Sequence, residues 1–171
     1  MKTKKVIVVP YNEGWPGEFE RIRSELSLVL GDTALSIEHV GSTSVQGLWA
    51  KPIIDVDVVI SDNKALVETI EKLEKIGYEY EGNLGIEGRE AFRYESKPGL
   101  MLHHLYVCLK DSPELKRHIT FRDYLRTHPE ATEEYSRIKC EGAKLYPEDI
   151  DGYLEYKSPV IEKIYRKCGL I

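Results

Sequence analysis

Two carboxylates stand out in the chain. Asp55 and Asp57 are two residues apart in Pro52-Ile-Ile-Asp-Val-Asp-Val-Val-Ile60, a mostly β-branched run that reads as a strand central to a sheet. Side chains alternate along a strand, so both point to one face, about 6–7 Å apart. Two negative charges on an otherwise apolar strand are costly to bury without partners. A divalent cation is the simplest partner. Magnesium takes hard oxygen ligands, often one or two carboxylates plus substrate phosphate oxygens. Two such ions can clamp the attacking and leaving oxygens of an in-line displacement.

Upstream lies Gly41-Ser42-Thr43-Ser44. A glycine turn lets backbone N–H groups approach a phosphate, and the hydroxyls add donors. The pattern therefore fits a phosphate tail held by Gly41, Ser42, Thr43 and Ser44, with metal on Asp55 and Asp57. It equally fits a turn followed by a strand whose two aspartates face water.

Further residues fit phosphate or metal chemistry. Arg89 and Arg93 fall on one face of a strand, and a guanidinium fork suits phosphate oxygens as well as it suits surface carboxylates. Lys51 precedes Pro52 and is open to the same two readings. His104 alternates with Leu102 and Tyr106 while His103 faces the other way, so one of the two points at the aspartates and the other sits in the sheet. His39 precedes the glycine turn, as a structural partner of it or as a ligand. Arg117, Arg122 and Arg126 form a basic ridge whose default is a solvated helix face, with Arg122 the candidate to turn inward. Lys139 and Lys157 are candidates to close a pocket from the C-terminal part. Most of the eleven tyrosines are expected in the core.

The elements that position these groups follow from periodicity and caps. Val6–Val9 reads as a short strand stopped by Pro10. Residues 15–30 read as a helix, with Pro16 in its first turn, an apolar stripe at Phe19, Ile22, Leu26 and Val29, and Gly31 at its end. Residues 35–40 alternate as a half-buried strand. After residue 60, Ser61 or Asp62 caps a helix carrying Leu66, Ile70, Leu73 and Ile76, with Gly77 as its exit. Strands are expected at 78–81, 89–96 and 100–109, with a turn at Pro98-Gly99. The remainder is helical: one helix from Ser112-Pro113-Glu114 to His128-Pro129, one from about 130 to 145, and one over 148–168 bent or broken at Pro159. The expected fold is α+β, one mixed sheet with packed helices and a helical C-terminal part, formed by a single domain over 1–171.

Composition narrows the function classes. The chain has 171 residues, 42% apolar and 31% charged, with net charge −5. That balance opposes general nucleic-acid binding, although a local basic pocket for a small phosphate ligand is compatible with it. No window approaches the roughly 18 apolar residues of a membrane helix. The basic start and short apolar run of MKTKKVIVV are too brief for a signal peptide, so a cytoplasmic protein is expected. Cys108, Cys140 and Cys168 form no C-x-x-C pair and read as free thiols.

The spacing of Gly41-Ser42 to Asp55-x-Asp57 resembles the core signature of the nucleotidyltransferase superfamily. The longer run Ile37-Glu-His-Val-Gly-Ser-Thr-Ser-Val-Gln-Gly-Leu-Trp-Ala-Lys-Pro-Ile-Ile-Asp-Val-Asp57 closely resembles the GrpB family. Further matches are Trp15-Pro16 with Phe19, Phe92-Arg93, His104 within His-Leu-Tyr-Val107, Phe121-Arg122-Asp123-x-Leu125-Arg126, and Tyr153 with Lys157. The resemblance implies a nucleotidyltransferase-like fold and a magnesium-dependent protein that binds a nucleoside triphosphate and acts on an unspecified acceptor. A similar domain follows dephospho-CoA kinase in some bacteria, as an accessory or folding domain. Two departures stand out. Gln46 replaces the family's usual proline. The strand over 100–109 presents His103 and His104 where active nucleotidyltransferases place a third carboxylate, with Glu87, Glu90 and Glu95 nearby in sequence. A second reading follows from that departure: a binding or accessory module for a nucleotide, a CoA-type ligand or a protein partner.

Overall fold

The sheet is built around the run that carries the aspartates. In the computed structural model, which describes residues 5–171, that run forms β2 (Ile54–Ile60). The basic start of the chain, residues 1–4, lies outside the described residues. The described chain divides into two compact units, one made of Gly14–Val40 and Ile53–His118, the other of the remaining segments.

The first unit holds the five-stranded sheet. Its strands are β1 (Ser36–Val40), β2, β3 (Glu79–Gly82), β4 (Arg89–Arg93) and β5 (His103–Leu109), in the order β1-β2-β5-β4-β3. Only β2 and β5 run parallel; the other neighbours are antiparallel. The sheet is therefore mixed, as its sequence pattern implies. β2 occupies an inner position with six of its seven residues buried, which matches its β-branched composition.

Alternation divides the sheet into two faces. Ile54, Val56, Val58 and Ile60 point to one, where helices α1 (Trp15–Leu30) and α2 (Asn63–Glu74) supply Ile22, Leu26, Leu30 and Leu73, all fully buried. Asp62 caps α2 by accepting from the Ala65 N–H at 2.9 Å. The register places Asp55 beside His104 and Asp57 beside Tyr106 on the opposite face. Both histidines of β5 are thus accounted for, one on each face.

The second unit comprises residues 5–13, Gly41–Pro52 and Ile119–Ile171. Helix α3 (Pro113–Thr127) begins in the first unit, where the Ser112 hydroxyl accepts from the Leu115 N–H at 3.3 Å, and continues into the second. Helices α4 (Pro129–Leu145) and α5 (Ile150–Lys167) pack together. Their core cluster is Val45, Leu48, Leu125, Ala131, Tyr135, Val160 and Ile164.

Four elements differ from sequence expectation. Val6–Val9 is not a strand: Val9 and Ala50 exchange one pair of backbone hydrogen bonds, and Val6 bonds to the Pro147 carbonyl. Pro10 has no N–H with which to extend the ladder. Strands 4 and 5 are shorter than 89–96 and 100–109, because the turn around Pro98-Gly99 draws in residues 94–102. Helix α5 continues through Pro159 instead of breaking. Tyr153 lies before the proline and Val160 and Ile164 after it, all buried, so packing on both flanks supports the helix through it.

Candidate functional site

In the sheet unit, one face carries a cluster of ionisable groups. Asp57 is fully buried. Its Oδ2 accepts from His118 Nδ1 at 2.6 Å, while its Oδ1 is buried with no hydrogen-bond partner among the described residues. His118 Nε2 lies 3.1 Å from Glu114 Oε1, one turn earlier on α3. Each imidazole nitrogen therefore faces a carboxylate oxygen, the pattern of a doubly protonated ring. Burial opposes the His118 charge, but the Asp57 hydrogen bond and the charges of Asp57, Glu114 and Asp55 outweigh it, and its pKa is raised. Burial likewise pushes the Asp57 carboxyl up, against the pull of His118.

Asp55 is partly exposed, and its Oδ1 accepts from His104 Nδ1 at 2.9 Å. The Arg89 guanidinium lies 4.3 Å from the centroid of the Tyr106 ring, the residue paired with Asp57, and its buried Nε has no hydrogen-bond partner among the described residues. Its positive charge lowers the Asp57 pKa against the dominant effect of burial. Arg93 is instead at the surface, ion-paired with Glu79 at 2.7 Å. Glu90 accepts from the Tyr80 hydroxyl. Among the described residues no three His, Cys, Asp or Glu side chains are grouped as a metal ion would need, so Asp55 and Asp57 stand as a pair of carboxylates.

His118 and Glu114 were not singled out from the sequence. Their i, i+4 spacing places them on one helix face, but nothing in the chain indicates that this face meets a strand residue 61 positions away.

His103 and His39 are structural. His39 stacks on Phe19 with centroids 4.7 Å apart. His103 donates from Nδ1 to the Met101 carbonyl at 2.7 Å and accepts from the Tyr78 hydroxyl at Nε2, also at 2.7 Å. These bonds satisfy the neutral ring, and burial lowers its pKa from the usual 6.5. The unfolded chain takes up this proton first as pH falls, so stability decreases below about pH 6.5 until the folded pKa is reached. His118, whose pKa is raised, has the opposite sign: its contribution is complete below about 6.5 and is lost as pH rises through its folded value. Urea denaturation between pH 7 and 5 should therefore show stability falling less, or rising more, in His103→Asn than in the parent as pH is lowered. An equal change in both proteins would remove His103 as a source of it.

The other candidates lie in the helical unit. Gly41 has φ of 74°, a left-handed conformation suited to glycine, and opens the tight turn Ser42–Ser44. The Ser44 hydroxyl donates to the Gly41 carbonyl at 2.5 Å, and Thr43 is almost fully buried. The Ser42 hydroxyl accepts from Lys139, which is 4% exposed. Arg126 Nε donates to the Ser44 carbonyl at 3.0 Å. Much of this turn's polar chemistry is thus engaged in holding its own shape. Lys51 sits 5.6 Å from the Tyr153 ring centroid, and burial lowers its pKa. Arg122 Nε donates to Asp123 at 2.9 Å.

The mixed sheet with its inner Asp-x-Asp strand and packed helices defines a nucleotidyltransferase-like fold. A crystal structure of the Cid1 poly(U) polymerase with MgGTP bound superposes with a TM-score of 0.58, over 80% of this chain and 44% of that one, at 14% identity. The chain belongs to the GrpB protein family, whose model matches residues 5–167. The crystal structure of GrpB from Enterococcus faecalis superposes with a TM-score of 0.82, covering 95% of this chain and 96% of that chain at 36% identity. UPF0157 protein YqkA of Bacillus subtilis (strain 168) is 36% identical over 160 residues, 93% of this chain. This chain spans only 46% of YqkA's length. No helix among the described residues is long and apolar enough to cross a membrane.

Proposed function

We propose that the protein binds a nucleoside triphosphate with magnesium at Asp55 and Asp57. The observation that carries this reading is the fully buried Asp57, whose Oδ1 has no hydrogen-bond partner among the described residues, on the same face as the partly exposed Asp55. An unsatisfied buried carboxylate oxygen is unfavourable, and a hard cation offsets that cost. Magnesium bound there would neutralise phosphate charge and orient the triphosphate. His118 positions Asp57 through Oδ2, and His104 does the same for Asp55 through Oδ1.

In the helical unit the Gly41–Ser44 turn is proposed as a phosphate-contacting element on its chemistry alone. With an acceptor, the reaction class would be nucleotidyl transfer: an acceptor oxygen bonds to the α-phosphorus and pyrophosphate leaves. A binding module without transfer is the second reading. It is favoured by the paired, not tripled, carboxylates and by histidines occupying one oxygen of each.

Thermal denaturation with ATP, CTP, GTP and UTP, each with and without magnesium, tests the binding step. Stabilisation that requires both components supports it, and none with any pair rejects it. Pyrophosphate release then separates transfer from binding alone.

A further inference from the structure

The helical unit contains a cavity of about 400 Å³ that none of the chemistry above uses. Its size lies within the range of small-molecule sites. Gln46 and Trp49 line it from the segment after the Ser42–Ser44 turn, Leu125 and Arg126 from the end of α3, and Glu133 and Ser136 from α4. Trp49 is 37% exposed, whereas Trp15, the chain's other tryptophan, is 3% exposed. The Trp49 backbone is fixed by its N–H, which donates to the Ser136 hydroxyl at 3.1 Å, and by its carbonyl, which accepts from Lys139. An exposed indole on an anchored backbone offers a ready stacking surface. The Gln46 amide supplies both donors and an acceptor, and the exposed Glu133 carboxylate supplies acceptors only.

We propose that this cavity binds a planar, amino-bearing heterocycle such as a nucleobase, stacked on Trp49 with its amino group donating to Glu133. A carboxylate accepts from an exocyclic amine and has no donor for a carbonyl at that position. Adenine and cytosine rings therefore fit better than uracil. The proposal is independent of the metal reading, since a nucleoside carries neither phosphate nor magnesium.

The two tryptophans give two indole N–H signals in a ¹H–¹⁵N spectrum, assigned with Trp49→Phe. Adenosine, cytidine and uridine are titrated separately in EDTA. The expected result is a saturable shift of the Trp49 signal, with Trp15 unmoved and adenosine and cytidine binding at least about threefold tighter than uridine. That factor is modest because one rim-exposed hydrogen bond discriminates weakly. Glu133→Gln should narrow the difference while retained dispersion of the backbone amide signals over Gly41–Pro52 and Ile119–Ile171 reports an intact helical unit. No saturable shift at Trp49, or equal binding of uridine, overturns the proposal. Nucleoside binding without any magnesium–triphosphate effect rejects only the Asp55–Asp57 reading, and the converse rejects only this one.

Discussion

Asp57→Asn is expected to abolish the stabilisation given by magnesium and a nucleoside triphosphate while the ligand-free protein still folds. At about 100 times Kd, a ligand that binds only the folded chain contributes about 2.7 kcal/mol. For a protein of this size that raises Tm by roughly 5–10 °C. Asparagine nearly preserves shape and keeps one oxygen to accept from His118 Nδ1. It exchanges the buried Oδ1 of Asp57 for an NH2 group and removes a fully buried negative charge. A residue retained only for structure would lose stability on such a change, whereas a metal ligand carries a standing cost that its removal relieves. Differential scanning fluorimetry of both proteins, with and without ligand, makes the comparison. An equal ligand shift in the variant rejects Asp57 as a ligand. A large fall in the ligand-free Tm would show that the carboxylate is held for structure through His118.

The aspartate pair was legible in the sequence because alternation and β-branching are local signals. The same holds for the caps at Asp62 and Ser112, whose side chains reach N–H groups three residues ahead. What surrounds the pair was only partly legible. That His104 and not His103 meets Asp55 follows from the parallel register of β2 and β5, which local patterning does not encode. His118 reaches Asp57 through the docking of α3 on the sheet, a tertiary event with no sequence period of its own.

The Gly41–Pro52 segment was harder still. It looks like a loop between two strands of one sheet, yet its Val45 and Leu48 belong to the helical core with Leu125, Tyr135 and Ile164. Val45, Leu48, Trp49 and Ala50 fall in too short a run to set a helical or strand period. The burial of Val45 and Leu48 becomes visible only when the helices are in place. Pro159 teaches the same lesson from the other side, since a strong local rule yields there to packing on both flanks.

Lys139→Met is expected to destabilise the helical unit by about 2–4 kcal/mol, through loss of charge-assisted hydrogen bonds worth about 1.5–3 kcal/mol each, less the desolvation no longer required. The Lys139 ammonium reaches the Ser42 hydroxyl and the Trp49 carbonyl, and it lies 4.4 Å from the Tyr135 ring centroid. Methionine approximates its length and fills the apolar part of its path, so lost packing contributes little. The damage should therefore be local as well as global. Urea denaturation measures the total loss, and amide hydrogen exchange reads its distribution. Faster exchange over residues 42–49, with β2 little changed under native conditions, identifies Lys139 as the clamp on the turn that bears Gly41 and Ser42. Unchanged exchange there, in a variant as stable as the parent, would mean that Val45 and Leu48 alone hold the segment in the core.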